Sequence, residues 1–256
     1  MKISIVQADI LWENKSENFR RLESLILNVP KGSDIIILPE MFNTGFSMKP
    51  QMLSEPARSE TFDWMMKTAK KYDAGICGSY IVSERQKFFN RWVFAAPDGK
   101  SWEYDKRHLF RMDEGEKSFA PGKKRLVFNF RDVRILPNVC YDLRFPVWSR
   151  NRNDYDLLIN SANWPSSRSS SWDILLKARA IENQCFVAGA NRTGEDGAGI
   201  RYNGGSMLIN PRGEIISEAE GGKEAIISGE IFMDELYAFR EKFPVKEDSD
   251  QFTITL

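Results

Sequence analysis

Short, wholly apolar runs are the feature of this sequence that most restricts its fold. Residues 35–38 read Ile-Ile-Ile-Leu, and residues 155–160 form a second predicted strand around the apolar run Leu-Leu-Ile at 157–159. A strand without polar alternation is typical of a sheet covered on both faces. Before, between and after these runs, residues 14–29, 59–72 and 171–183 carry apolar side chains at helical spacing. The alternation of strands and helices predicts an α/β protein in which helices cover mixed sheets.

Hairpins add further strands to this pattern. Residues 90–96 and 101–104 flank a Pro-Asp-Gly-Lys turn, and a second hairpin is predicted over residues 125–139. Ser16 is the predicted N-cap of the first helix. With about a dozen short strands and few helices, two stacked sheets flanked by helices would bury both halves. We find no linker or low-complexity segment, so we expect residues 1–256 to form a single domain.

The charge balance and the rarity of histidine exclude several classes of function. Lys plus Arg and Asp plus Glu both number 36, so the zero net charge gives no reason to expect nucleic acid or an anionic membrane as partner. No apolar run approaches the ~18 residues of a membrane helix, and the N-terminus lacks the pattern of a signal peptide. Three separated cysteines and a single histidine do not suit a disulfide framework or a multi-histidine zinc site. We therefore expect a cytoplasmic protein without a metal.

Three predicted strands end on residues that carry chemistry. Glu40 follows the run at 35–38, Lys106 follows the strand at 101–104, and Cys140 ends the strand at 133–139. A thiol at the end of a strand suits a nucleophile, and a partly desolvated carboxylate is a better base near neutrality. We expect these three side chains to meet. Locally, surface charges at Glu40 and Lys106 and a catalytic pair of Cys140 with His108 remain alternatives.

In their order, three motifs resemble the nitrilase, or carbon–nitrogen hydrolase, superfamily across the whole chain. They are Leu-Pro-Glu-Met-Phe at 38–42, Tyr-Asp-Lys-Arg-His-Leu-Phe at 104–110 and Val-Cys-Tyr-Asp-Leu-Arg-Phe-Pro at 139–146. The resemblance implies a four-layer αββα sandwich that commonly dimerises through its helices, and a catalytic triad of Glu40, Lys106 and Cys140. Residues 140–146, 163–165 and 178–184, with Tyr202, are most similar to bacterial omega-amidases, which act on 2-oxoglutaramate-like amides.

The mechanism that this resemblance implies needs water but no metal or organic cofactor. Cys140 attacks the carbon of a small amide while Glu40 takes the thiol proton, passes it to the departing ammonia and then activates water against the acyl-thioester. Lys106 and the backbone N–H of Tyr141 would stabilise the oxyanion. The family often has a further glutamate nine residues after the lysine. That position is Gly115 here, so Glu114 or, by preference, Glu116 would fill the slot.

For the substrate, we expect a cation that binds a carboxylate and apolar side chains that form the walls. Arginine suits a carboxylate, and Arg144, Arg168 and Arg192 all lie near predicted strand ends. The alternative roles are a structural ion-pair partner for Arg144 and a surface residue for Arg168. Phe42, Trp164 and Tyr202 are the predicted walls. The alternatives within reach are a carbamoylase or nitrilase acting on another C–N bond, a silent ligand-binding member, and a Cys-His thiol hydrolase.

Overall fold

Two six-stranded mixed sheets form the centre of the computed structural model, which describes residues 1–111 and 115–255 but not the side chains of residues 115 and 116. Strands in the first sheet follow the order β14-β1-β2-β3-β4-β5, and those in the second follow β13-β12-β9-β8-β7-β6. In each sheet three adjacent strands are parallel, namely β1, β2 and β3 in the first and β7, β8 and β9 in the second. The strand bounds are β1 Lys2–Gln7, β2 Ile35–Ile37, β3 Gly75–Glu84, β4 Lys87–Ala95, β5 Ser101–Asp105, β6 Phe128–Phe130, β7 Val133–Val139, β8 Leu157–Ala162, β9 Phe186–Asn191, β10 Thr193–Glu195, β11 Arg201–Asn203, β12 Met207–Ile209, β13 Ile215–Glu218 and β14 Ala225–Glu230.

Three long helices cover the outer faces of the two sheets, two on the first sheet and one on the second. The helix bounds are α1 Lys15–Ile26, α2 Pro50–Leu53, α3 Glu60–Tyr72, α4 Gly115–Ser118, α5 Pro146–Ser149, α6 Ser169–Asn183 and α7 Met233–Lys242. None of the helices in the described part of the chain is long and apolar enough to cross a membrane. The N-cap of the first helix is Asn14, two residues before the predicted Ser16, and Asn14 Oδ1 accepts the N–H of Glu17 at 3.3 Å.

Alternate side chains of each central strand enter different cores, which explains the apolar runs. Ile35 and Ile37 point into a core that also contains Ile135 and Ile159 of the second sheet, so the sheets pack face to face. Ile36 points the other way, into the core beneath α1 and α3. In the second sheet, the outward side chains pack on Trp172 and Leu176 of α6, among others. The predicted αββα layering is confirmed.

The hairpin formed by β10 and β11 was not predicted from the sequence. The two strands pair over three residues each, and the five residues between them include two glycines. Such a segment shows no apolar alternation, and the pairing depends on tertiary contacts, among them the bridge from Asp9 to Thr193. A second difference concerns β5, which ends at Asp105, so Lys106 and His108 do not share a strand face.

Candidate active site

Glu40 and Lys106 form a buried ion pair between the carboxyl ends of β2 and β5. Lys106 Nζ donates to Glu40 Oε1 at 2.7 Å, and both side chains are at most 1 % exposed. Cys140 follows β7 of the other sheet. Its thiol lies close enough to both residues for their charges to shift its pKa. The structure therefore brings together the three side chains that the sequence placed at strand ends.

Two asparagines that sequence reasoning missed complete the surroundings of Glu40. Asn90 Nδ2 donates to Oε1 at 2.7 Å, and the backbone N–H of Asn163 donates to Oε2 at 2.9 Å. Asn163 also donates through Nδ2 to the carbonyl of Glu40, at 2.6 Å. Because β4 and β8 belong to different sheets, Glu40 is fixed by both. An isolated asparagine in the apolar run of β4, and another directly after β8, were the signals available in the sequence.

Cys140 lies in a strained turn, a 3-10 helix over Cys140–Arg144 that we call the nucleophile turn. Its φ of 46° falls in the left-handed region that residues with a Cβ rarely adopt. The thiol lies 3.7 Å from the carbonyl oxygen of Asn163, to which it donates. This sharp change of direction after β7 turns the cysteine out of the sheet and toward the Glu40–Lys106 pair.

Asp142 holds the nucleophile turn in place. Its fully buried carboxylate accepts the N–H of Val139 at 3.0 Å and the hydroxyl of Tyr104 at 2.8 Å. It also accepts the N–H of His108 at 2.9 Å, and its Oδ1 lies 2.7 Å from His108 Nδ1. Asp142 therefore ties the turn after β7 to the segment after β5, so the positions of Cys140 and Lys106 depend on each other.

Electrostatics favour a neutral thiol beside a charged lysine. Burial raises the pKa of Cys140 far above its usual range, the Glu40 carboxylate raises it further, and the Lys106 ammonium opposes both only in part. Burial by itself would lower the pKa of Lys106, but its acidic neighbours, the Glu40 carboxylate first among them, outweigh burial and raise it. The resting site thus holds a protonated thiol, and ionisation of Cys140 requires a base at the moment of attack.

His108 is engaged away from the thiol. In addition to its contact with Asp142, its ring stacks on Phe145 with centroids 3.7 Å apart and 6° between the planes. It is not among the described residues that line the pocket at Cys140. These contacts give His108 a place in the scaffold of the nucleophile turn, and they offer no support for a pair of Cys140 with His108.

A cavity of about 440 Å³, its open mouth included, leads to Cys140. Two arginines at the cavity lie against aromatic rings, Arg144 at 4.9 Å from the Trp164 ring and Arg168 at 5.1 Å from the Phe110 ring. Neither forms an ion pair with an acid among the described residues, although Arg144 donates to Ser171 Oγ. The cavity is lined by Glu40, Phe46, Lys106, Phe110, Cys140, Tyr141, Arg144, Asn163, Trp164, Pro165, Arg168, Ile200 and Tyr202.

Of the other residues predicted at the site, some line the cavity and others lie outside the described residues. Trp164, Tyr202 and Tyr141 line the cavity, and the Tyr202 hydroxyl donates to Asp196 at 2.8 Å. Phe46, Phe110, Pro165 and Ile200 also line it and were missed, because they stand in loops whose packing the sequence pattern does not reveal. Glu114 and the side chain of Glu116 lie outside the described residues, so the fourth catalytic slot stays a prediction.

Two sequence-based expectations need correction. Phe42 is fully buried against Trp64 and Tyr80 in the core beneath α3, because the turn at Met41 directs its ring away from the cavity. Arg192 is also fully buried, where it donates to Asp9 and to backbone carbonyls such as that of Ile10, so it is a structural residue and not a carboxylate ligand. The predicted helical pair of Arg179 and Glu182 is confirmed, at 2.8 Å.

The αββα sandwich and its buried Glu–Lys pair beside a cysteine define a class of C–N bond hydrolases. Residues 2–241 match the family model for carbon–nitrogen hydrolases, and the chain belongs to that family. It is 44 % identical over 254 residues to the omega-amidase YafV of Escherichia coli K12, covering 99 % of this chain and 98 % of that one. It is 36 % identical to the 2-oxoglutaramate amidase of Bacillus subtilis, covering 96 % of each chain.

A solved structure shares the fold almost completely. The crystal structure of XC1258 from Xanthomonas campestris, a superfamily protein with an arsenic adduct in its active site, superposes with a TM-score of 0.97. That match is 38 % identical and covers 100 % of this chain and 99 % of the other.

Proposed function

We propose that this protein is an omega-amidase, which hydrolyses the terminal amide of a small dicarboxylic acid monoamide such as 2-oxoglutaramate to the acid and ammonia. The observation that carries the proposal is the buried Glu40–Lys106 pair beside the neutral thiol of Cys140. The two arginines without acid partners among the described residues, at the cavity above this group, supply charge for the free carboxylate of such a substrate. The curated relatives named above carry this activity in their names.

In the acylation step, Glu40 acts as the general base. It takes the thiol proton as the sulfur of Cys140 bonds to the amide carbon, and the carbonyl electrons move onto oxygen. The oxyanion is stabilised by the Lys106 ammonium and by the backbone N–H of Tyr141, which directly follows the nucleophile. When the C–N bond breaks, Glu40 returns its proton to nitrogen and ammonia leaves. Proton transfer of this kind contributes on the order of 10²–10⁴ in rate.

In the second half of the reaction, water takes the place of ammonia. Glu40 removes a proton from that water and the water oxygen attacks the thioester carbon. The C–S bond then breaks to release the acid, and Glu40 returns its proton to the sulfur, which restores the thiol of Cys140. Glu116, or Glu114 in its place, is proposed as the further carboxylate of the family pattern. No metal or organic cofactor takes part in these steps.

Replacement of the two cavity arginines tests the substrate assignment. We expect Arg168→Leu and Arg144→Leu to raise the KM for 2-oxoglutaramate by about 10- to 100-fold, since charged hydrogen bonds contribute ~1.5–3 kcal/mol each. Butyramide, which has no carboxylate, serves as the control substrate and should be hydrolysed at unchanged kcat/KM. If neither variant changes the KM for 2-oxoglutaramate, these arginines do not bind its carboxylate.

A substrate panel tests the reaction class. Steady-state assays with 2-oxoglutaramate, N-carbamoyl acids and aliphatic nitriles compare hydrolysis of an amide, a carbamoyl group and a nitrile. We expect the amide to have the highest kcat/KM by orders of magnitude. A faster reaction with a nitrile or a carbamoyl compound would refute the omega-amidase assignment.

We also propose that residues 1–256 act as one catalytic domain in the cytoplasm.

Two copies of the chain are proposed to pair through α6. The exposed face of α6 carries Ile174 and Ile181, which are 67 % and 54 % exposed and lie two helical turns apart, and Val147 of α5 is 56 % exposed. Ile174→Glu with Ile181→Glu should convert the dimer to a monomer in light scattering. Leu27→Glu, on an exposed site of the opposite layer, is the control and should leave the mass unchanged.

A further inference from the structure

Asn163 has one polar atom that the geometry of the site leaves unused. Its backbone N–H donates to Glu40 Oε2, its carbonyl oxygen accepts from the Cys140 thiol, and Nδ2 donates to the Glu40 carbonyl. The fourth atom, Oδ1, is buried and has no hydrogen-bond partner among the described residues. A buried acceptor without a partner costs free energy. The Oδ1 of Asn90 is also unpaired, but among these two asparagines only Asn163 lines the cavity, where a bound group can supply the missing donor.

The orientation of this side chain is fixed by its chemistry. Nδ2 lies 2.6 Å from the Glu40 carbonyl and 3.5 Å from Glu40 Oε2, and neither oxygen can donate while the carboxylate is ionised. An exchange of Nδ2 and Oδ1 would bring two acceptors together. Oδ1 is therefore the atom that faces away from Glu40, and the residue lines the cavity together with Cys140 and Lys106.

The reaction contains a donor that needs such an acceptor. For Glu40 to protonate the leaving nitrogen, the nitrogen lone pair must point at the carboxylate, and the two N–H bonds of the substrate amide must then point elsewhere. Lys106 offers only donors and is committed to Glu40 and the oxyanion. A side-chain carbonyl fixed to Glu40 itself is well placed to accept one of those N–H bonds.

Resting on the proposed amidase function, we infer that Asn163 Oδ1 accepts a hydrogen bond from the leaving amide nitrogen and so sets the rotation of that nitrogen for proton transfer. The bond changes of the acylation step are as described above: the S–C bond forms, the C–N bond breaks and the thiol proton leaves with ammonia. Asn163 exchanges no proton. It selects a leaving group that carries N–H over one that does not.

A comparison of an amide with an ester of the same acid tests this role. 2-Oxoglutaramate and the omega-methyl ester of 2-oxoglutarate form the same acyl-enzyme on Cys140, so their kcat/KM values differ only in steps up to loss of ammonia or methanol. We expect Asn163→Ala to lower the ratio of amide to ester kcat/KM by about 10-fold, because only the amide loses a hydrogen bond.

Two matched variants separate this role from support of Glu40. Asn90→Ala also removes a donor to the Glu40 carboxylate, but Asn90 does not line the cavity, so amide and ester rates should fall by the same factor. Asn163→Asp keeps an oxygen at the Oδ1 position but places a second oxygen against Glu40, so we expect both rates to drop while their ratio stays near that of the wild type. Because a ratio is compared, a partly folded preparation does not change the result.

The possible outcomes separate the inference from the proposed function. If Asn163→Ala lowers amide and ester rates equally, Asn163 only anchors Glu40 and the inference is wrong. The same conclusion follows if the ratio falls equally in Asn90→Ala. If the wild-type protein does not hydrolyse 2-oxoglutaramate or other primary amides, the proposed function itself fails, whatever the variants show.

Discussion

At the scale of single residues, the most consequential feature is the neutral thiol of Cys140. Many thiol enzymes hold a thiolate beside a cation, but here burial and the Glu40 carboxylate together outweigh the Lys106 ammonium. A neutral nucleophile becomes reactive only when a substrate is bound and Glu40 can take its proton. Free Cys140 should therefore resist ionisation and unwanted oxidation at neutral pH.

Ultraviolet titration checks the state of this thiol. A free cysteine is half ionised near pH 8.5, whereas a raised pKa keeps the thiol protonated as the pH rises past that value. We expect the difference in thiolate absorbance near 240 nm between the wild type and Cys140→Ser to remain near zero from pH 6 to pH 9.5. A titration step at or below pH 8.5 would show that Lys106 dominates the site.

Individual residues differ in how far the sequence alone could place them. Glu40, Lys106 and Cys140 could be predicted to meet, since each stands at or near the end of a predicted strand and in a motif of its own. Phe42 was misplaced because the positive φ of Met41, which turns the ring into the core, leaves no trace in residue types. Asn163 and Asn90 were missed because their roles depend on contact between two sheets, which no local pattern encodes.

At the scale of elements, the nucleophile turn depends on Asp142. One carboxylate satisfies two backbone N–H groups and the Tyr104 hydroxyl, and thereby joins the end of β7 to the segment after β5. A turn that begins in a strained left-handed conformation needs such support from its surroundings. Asp142 is thus a positioning residue, which acts on catalysis through the place it gives Cys140.

Asp142→Asn tests this dependence. The amide nitrogen would face N–H donors where a carboxylate oxygen stood, so we expect a loss of about 1–3 kcal/mol in the free energy of unfolding and a fall in kcat. Urea denaturation and steady-state assays measure the two effects. Asp98→Asn, in the exposed turn before β5, is the control and should alter neither. Normal stability and kcat in Asp142→Asn would show that Asp142 does not hold the nucleophile turn in place.

The order of elements followed from periodicity, but their ends did not. Strands such as β2 and β8 were placed by apolar runs, and α3 by its 3.6-residue spacing. The ends of α1 and α6 differed from the predicted ends by up to three residues, because caps are decided by side-chain hydrogen bonds such as that of Asn14. The β10–β11 hairpin could not be predicted from the sequence, since three-residue strands in a glycine-rich segment depend on tertiary contacts.

At the scale of the whole molecule, buried thiols link stability to alkaline pH. Burial raises the pKa of Cys185 to about 12 and also raises that of Cys77, whereas both would ionise near pH 8.5 in the unfolded chain. A raised folded-state pKa gives stability that is fully present below the unfolded value. That stability is lost as the pH rises from about 8.5 toward the folded value.

Urea unfolding at several pH values measures this linkage. Between pH 9 and 10, each buried thiol should lower the free energy of unfolding by about 1.4 kcal/mol per pH unit. We expect Cys185→Ala to reduce that slope by one such increment while it remains folded at pH 7. Cys77→Ala, in the other sheet, should give a similar reduction. Parallel slopes for the wild type and both variants would contradict the assigned burial effect.

The bond between Glu40 and Asn163 crosses from one sheet to the other, and this has a consequence for the nascent chain. The base and the lysine come from the first sheet, whereas the nucleophile and the asparagine come from the second. A folding intermediate in which the two sheets have not yet docked therefore contains the catalytic residues but not an assembled active site. Activity appears only when the two sheets dock, so the onset of ammonia release reports the completion of folding. Incompletely folded copies cannot hydrolyse amides.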